Sequence, residues 1–307
     1  MSKHGTYIGR FAPSPSGPLH FGSMVAALGS YLDARHYRGQ WLLRIEDVDR
    51  PRVVPGAEDA IFRTLETFGL EWDGAVVCQR DREQAYAAAL SRLKEGARVF
   101  ACACSRREIA DSVLARDGSH RYPGTCRNGL PPGRAARAWR FRATPGEVCF
   151  DDSLQGRICE DVDADVGDFV LFRADGLFAY QLAVVVDDAD AGVTHVARGA
   201  DLIDSTCRQI LLQRALGFPT PQYMHFPVVV NAAGEKLSKQ TLAAAVDTLP
   251  PADVMFRCLA FLGQCPPPEL ARAGVATIRQ WAIENWNRRL VPRQRTGLAP
   301  GEQREYV

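Results

Sequence analysis

Long apolar runs are missing from this 307-residue chain: the longest, 177–186, covers about ten residues and includes Gln181. A bilayer span needs roughly 20. The start, MSKHGTYIGRFAP, has no apolar stretch after its basic residues, so no secretory leader is read and a soluble, cytoplasmic protein is expected. Neither G-x-x-x-x-G-K-[ST] nor G-x-G-x-x-G occurs, which disfavours a P-loop kinase and a dinucleotide dehydrogenase. Lysine is scarce, with four among 37 basic residues. The nine cysteines are odd in number and scattered, against a disulfide framework. Cys78, Cys149, Cys159, Cys207, Cys258 and Cys265 read as small buried hydrophobes.

What is present is a globular composition, 46% hydrophobic and 24% charged, with length for roughly two domains. The net charge of +1 hides a local imbalance. Ten arginines stand against three carboxylates between Arg98 and Arg142, a net of +7; eight carboxylates stand against Arg157 alone between Glu147 and Asp168, a net of −7. A basic block of this size suits a polyanion such as nucleic acid; alternatively the two blocks face each other within one fold.

The first ~95 residues alternate between strands and helices. TYIGRFA (6–12) and QWLLRIE (40–46) read as strands. Phe21, Met24, Val25, Leu28, Tyr31 and Leu32 give 21–36 the one-faced spacing of a helix. Pro55 and Gly56 open a second helix with the stripe Ile61, Phe62, Leu65 and Phe68, stopped by Gly69. A third runs through Tyr86, Leu90 and Leu93. Units of ~30 residues predict a parallel, doubly wound α/β sheet. Near Gly96 the pattern breaks: 98–175 is rich in Arg, Asp, Gly and Pro, with short strands such as VCFDD and DFVLFR. Alternation resumes with FAYQLAVVVDD (178–188), THVARG (194–199) and a helix over 201–216, so the middle reads as an insertion in one domain. Helical segments are expected around 252–263 and 276–289.

Two strings carry nucleotide chemistry. GRFAPSPSGPLHFGS (9–23) joins the first strand to the first long helix. It sets His20 at a helix entrance, where free N–H groups and the dipole favour phosphate. Gly22 lets a flat base or ribose approach the backbone. GEKLSK (234–239) gathers two of the four lysines, Lys236 and Lys239, after the turn Asn231–Gly234; compact ammonium charges suit phosphates, although a solvated loop would look the same.

Together these strings resemble the HIGH and KMSKS signatures of class I aminoacyl-tRNA synthetases, with Ser23 in place of the second His and Gln240 in place of the last Ser. RFAPSPSG, LRIEDVDRPR (43–52), YQLAVVVDDADAGVTHVARGADL (180–202) and EKLSK are similar to the glutamyl- and glutaminyl-tRNA synthetase group, over residues ~5–240. The resemblance implies a Rossmann-like catalytic domain in two halves, 1–97 and 176–235. Between them 98–175 would be an inserted zinc-binding, acceptor-type domain. Residues 236–307 would hold the KMSKS loop and a small, mainly helical stem-contact region. Only 68 residues follow Lys239, too few for the group's C-terminal anticodon-binding portion. This points to a shortened branch of the group that activates L-glutamate with ATP without tRNA. That branch esterifies the cyclopentenediol of queuosine, the modified wobble base of tRNA(Asp).

Such a reaction needs no protein nucleophile. The glutamate carboxylate attacks the α-phosphate in line, so positioning and charge neutralisation do the work, with Mg²⁺ entering on the phosphates. The resemblance implies His20, Lys236 and Lys239 as catalytic groups, with Gly22 and Ser23 also on ATP. It implies Arg10, Phe11, Ala12, Pro13, Ser14, Glu46, Tyr180 and Arg198 around glutamate. Chemically, Arg10 and Arg198 can pair a carboxylate, Tyr180 can donate its hydroxyl and Glu46 can hold the ammonium. Against these stand a surface ion pair of Arg198 with Asp201 and plain solvation of Glu46.

Cys102, Cys104 and Cys126 offer three corners of a tetrahedral zinc site. His120 is the chemically commoner fourth ligand; the resemblance implies Tyr122, with one structural zinc per chain. A compact chain of this length has a radius of gyration near ~19 Å, which suits a monomer on the anticodon stem-loop better than one spanning a whole tRNA. Other readings are a minimal synthetase charging the tRNA 3′ end and a small-molecule adenylyl- or cytidylyltransferase. The RIED and VARG strings count against the transferase. A non-enzymatic tRNA-binding paralogue would not need His20, Lys236, Lys239 and Glu46.

Overall fold

The structure, a computed structural model, describes residues 6–110, 114, 118, 120–237 and 245–299. The first part of the chain builds a parallel sheet by alternating strands and helices. Strand β1 (Ile8–Phe11) leads to helix α1 (Phe21–His36), then β2 (Gln40–Ile45), α2 (Ala57–Thr67), the two-residue β3 (Val77–Cys78) and α3 (Glu83–Glu95). β1 pairs with β2 in parallel from Ile8–Gln40 to Phe11–Leu43, and β2 with β3 at Arg44–Val77. The periodic stripe of α1 is its inner face: Met24, Val25, Leu28, Tyr31 and Leu32 are buried against Trp41, Leu43, Ile45, Ile61, Leu65 and Phe68. Gly69 ends α2 as its pattern predicts. At φ +62° it lets the Leu70 N–H return to the Leu65 carbonyl.

The next stretch adds β4 (Val99–Cys102), α4 (Arg106–Ala110), β5 (Ala138–Phe141), β6 (Glu147–Asp152), β7 (Gly156–Asp161), α5 (Val162–Asp165) and β8 (Phe169–Phe172). β4, β5 and β8 form an antiparallel sheet, and β6–β7 is a hairpin. β6 does not stay apart. Its end runs parallel to a strand of the main sheet through Asp152–Tyr223.

Helix α6 (Tyr180–Asp190) follows, then β9 (His195–Gly199), α7 (Ile203–Leu216), β10 (Gln222–Phe226) and β11 (Val228–Val230). α6 has no one-faced stripe because it is enclosed: Leu182 through Asp188 are all buried. β9 pairs with β10 in parallel, and β9 lies beside β1, where the Thr194 N–H donates to the Ile8 carbonyl at 2.9 Å. Side by side the strands run β3-β2-β1-β9-β10-β6-β7. Chain direction across the sheet reverses between β1 and β9, and in open α/β sheets ligands bind at such a reversal. The chain ends with α8 (Pro251–Phe261) and α9 (Val275–Asn285) against α1, and β12 (Thr296–Leu298) paired with β11.

The cysteine reading needs correction. Cys149 and Cys159, directly opposite each other on β6 and β7, form a disulfide. Cys265 is exposed and Cys78 half-buried, so only Cys207 and Cys258 of the six are small buried hydrophobes. Strand register brings the hairpin pair together, and spacing along the chain carries no sign of it. Among the described residues no helix is long and apolar enough to cross a membrane.

Candidate active site

A cavity of about 530 Å³ opens at the carboxyl ends of β1 and β9, at the sheet reversal. Arg10, Phe11, Ala12, Pro13 and Ser14 line it from β1 and the following turn; His20, Gly22 and Ser23 line it from the entrance of α1. Glu46 reaches it from the end of β2, Tyr180 from the start of α6, Arg198 from β9, and Lys236 from the turn after β11. Residues far apart in sequence thus meet because each follows a parallel strand or opens a helix. Lys239, like Gln240, lies outside the described residues; Ala245 beyond it bridges to His20, and the Leu237 carbonyl before it faces Gly22.

His20 is the N-cap of α1. Its Nδ1 accepts from the Ser23 N–H at 3.3 Å. The ring proton therefore belongs on Nε2, which stands 3.1 Å from Ser23 Oγ. Ser23 thus occupies the imidazole from two sides. A Cβ at Gly22 would lie 3.2 Å from His20 Cε1, so this glycine also makes room for the ring.

The cationic groups differ in how their charge is met. Arg10 donates from Nε and Nη2 to Asp188, at 3.1 and 3.3 Å. Asp188 also takes Arg44 at 2.7 Å. Burial opposes its charge, but the two guanidiniums hold it at about 2. Neighbouring Asp187 receives Gln79, Arg82 and Tyr86. Glu46 is enclosed rather than solvated: burial pushes its carboxyl up against the pull of Arg44, 3.2 Å away, and Arg10.

Arg198 is 5% exposed, and no ion pair with Asp201 forms. Asp201 binds Lys236 Nζ at 2.5 Å instead. Arg198 donates to Thr206 Oγ1 at 2.9 Å, the Leu202 carbonyl at 3.3 Å and His225 Nε2 at 3.0 Å, while its buried Nη1 has no partner among the described residues. A desolvated N–H pair on a cation at a cavity wall is a ready site for an anion.

Nothing in the sequence marks His225 or Thr206 for this site, and Arg44, although it opens the RIED string, carries no sign there of its pairing with Asp188. Asp187 and Asp188 do leave a signal, since two carboxylates ending an apolar run must be buried and need partners.

The cysteine cluster fits zinc. A tetrahedral ion with Zn–S ~2.3 Å and Zn–O ~2.0 Å sets sulfurs about 3.8 Å apart and sulfur from oxygen about 3.5 Å. Cys104 Sγ is 3.7 Å from Cys126 Sγ, and Tyr122 Oη is 3.5 Å from both Cys102 Sγ and Cys104 Sγ. His120 is exposed and outside this cluster. The opposed charge blocks partly neutralise each other, as Arg127 reaches Asp163 and Asp168. Arg106, Arg107 and Arg137 remain exposed.

Residues 8–254 match the family described as tRNA synthetases class I (E and Q), catalytic domain. The chain is 64% identical over 96% of its length to the glutamyl-Q tRNA(Asp) synthetase of Aromatoleum aromaticum, covering 93% of that protein. It is 60% identical to the one of Dechloromonas aromatica, over 96% of this chain and 98% of that one. Among solved structures, the glutamate-tRNA synthetase of Elizabethkingia anophelis superposes with a TM-score of 0.79 at 24% identity. That superposition covers 97% of this chain and 69% of the other, a likeness of fold.

Proposed function

The chain belongs to the class I tRNA synthetase family for glutamate and glutamine, alongside the glutamyl-Q tRNA(Asp) synthetases, and from this premise we propose that it activates L-glutamate with ATP and transfers the glutamyl group to queuosine of tRNA(Asp). It is a ligase-type enzyme. The observation that carries the amino-acid half is Arg198: a buried guanidinium that lines the cavity, with no partner for its Nη1 among the described residues, asks for a carboxylate. Tyr180 adds its hydroxyl, Arg10 adds positive charge behind Phe11–Ser14, and Glu46 receives the ammonium. His20, Gly22 and Ser23 at the α1 entrance take the nucleotide, and Lys236 and Lys239 meet its phosphates. Mg²⁺ enters as part of the ATP substrate. The α-carboxylate of glutamate displaces pyrophosphate in line, and the charge on the departing oxygens falls to His20 and the lysines.

Cys102, Cys104, Tyr122 and Cys126 would hold one structural zinc, stapling an inserted domain over 98–175. That insertion divides the catalytic halves 1–97 and 176–235, with 236–307 as the KMSKS loop and stem-contact region. The enzyme works as a cytoplasmic monomer on the anticodon stem-loop, with the exposed arginines of the insertion on phosphates.

Glutamate-dependent ATP–pyrophosphate exchange without tRNA tests the first half. Labelled glutamate should then pass to an isolated anticodon stem-loop bearing queuosine and not to the unmodified loop, and removing the 3′ CCA end should leave transfer intact. Transfer that needs the 3′ end and ignores queuosine would overturn the acceptor.

A further inference from the structure

Resting on glutamate as the substrate of the cavity, we infer that Asp152 and His225 are positioning residues that hold the Arg198 guanidinium for the glutamate side-chain carboxylate, and so set the preference for glutamate over glutamine. The direction of each hydrogen bond follows from chemistry. Arg198 Nε can only donate, so His225 Nε2, 3.0 Å away, accepts. The ring proton is therefore on Nδ1, which donates to Asp152 Oδ2 at 2.6 Å. The other oxygen, Oδ1, accepts the N–H groups of Leu154 and Gln155 at 2.9 Å and of His225 at 3.3 Å. Each atom of the relay has one role, and all three side chains are buried.

A histidine serves here because it is a neutral acceptor; burial lowers its pKa to about 4. Arg10 meets Asp188 directly, whereas among the described residues Arg198 hydrogen-bonds only to the His225 ring, the Leu202 carbonyl and Thr206 Oγ1 and lies over the Tyr223 ring. Its guanidinium is oriented without a carboxylate in contact, which leaves Nη1 to the substrate. Asp152 comes from β6, within the stretch inserted after β4, so the insertion supplies part of the amino-acid site through its one register position on β10.

Asp152→Asn separates positioning from structure. The three backbone N–H donors require the amide oxygen at Oδ1, which turns the amide NH₂ toward His225 Nδ1. His225 must then carry its proton on Nε2, donor against donor with Arg198 Nε. We expect the glutamate KM in pyrophosphate exchange to rise about tenfold or more, the ATP KM to stay within about twofold, and the glutamate-to-glutamine ratio to fall. In a His225→Phe background no ring nitrogen links residue 152 to Arg198, so adding Asp152→Asn should change little. Equal effects on both KM values, or the same loss in both backgrounds, would overturn the proposal. Should Asp152→Asn not fold, Thr206→Val removes another acceptor of Arg198 and should raise the glutamate KM alone; no change would overturn it. A wild-type enzyme without glutamate-dependent exchange would sink the substrate reading, and this proposal with it.

Discussion

Asp33, in the last turn of α1, ties the segment that follows α9 to the parallel sheet, and its loss should be costly. The carboxylate is fully buried. It accepts from Tyr7 Oη at 2.6 Å, from Trp286 Nε1 at 2.9 Å and from Arg288 Nη2 at 2.6 Å. Asp33→Ala leaves the Tyr7 hydroxyl and the Trp286 indole N–H buried and unpaired, at about 1–3 kcal/mol each. It also strands the Arg288 guanidinium. A side chain 23% exposed recovers some hydration, which places that part near the lower end of the ~3–5 kcal/mol for breaking a buried pair. The groups share one site, so the contributions overlap, and a total of about 4–6 kcal/mol is expected. That is a large share of a typical stability of ~5–15 kcal/mol. Urea unfolding followed by tryptophan fluorescence reads it, because Trp41 and Trp286 sit in this core. Asp33→Asn, which keeps the shape and loses the charge, should cost less. A loss below about 1 kcal/mol for Asp33→Ala, with an unchanged urea slope, would refute the reasoning.

Arg198→Ala should lower kcat/KM for glutamate in pyrophosphate exchange by about 30-fold or more, the loss of a buried charged pair of roughly 2–5 kcal/mol; an unchanged glutamate-to-glutamine ratio would speak against its role. About one zinc per chain should be found by metal analysis, and Cys104→Ser should lose it and destabilise the stretch around β4 and β5 before the parallel sheet; metal-free wild-type protein would contradict the site. Acid should destabilise the fold in two windows, read as urea midpoints from pH 7 to 3. His225, lowered by burial to about 4, is neutral in the fold while the unfolded ring protonates near ~6.5. Stability is therefore complete above pH ~6.5 and falls by about 3 kcal/mol toward pH ~4. Asp188, held at about 2, adds about 2 kcal/mol that is present above pH ~4 and lost as pH falls toward ~2. A midpoint flat between pH 6.5 and 4 would contradict the first window, and His225→Gln should flatten it.

The sequence by itself determined α1, α2 and α3 and the strands beside them, because an amphipathic stripe and a terminal glycine are local and readable within one or two turns. It also marked the cavity lining, since His20, Glu46 and Arg198 sit in strings that lie on, or just after, strands whose carboxyl ends meet at the cavity. Tertiary structure alone decided the rest. α6 is a helix because layers on every side bury it, and an apolar run without a stripe does not announce that. Cys149 meets Cys159 through hairpin register, and Tyr122 rather than His120 joins the thiols through the fold of the loop around them. The partners of the guanidiniums belong here too: Arg10 and Asp188 are 178 residues apart, Asp152 and His225 73. A buried charge has to be satisfied by whatever the packing brings within about 3 Å, and residue type along the chain states the need for a partner without saying where it lies.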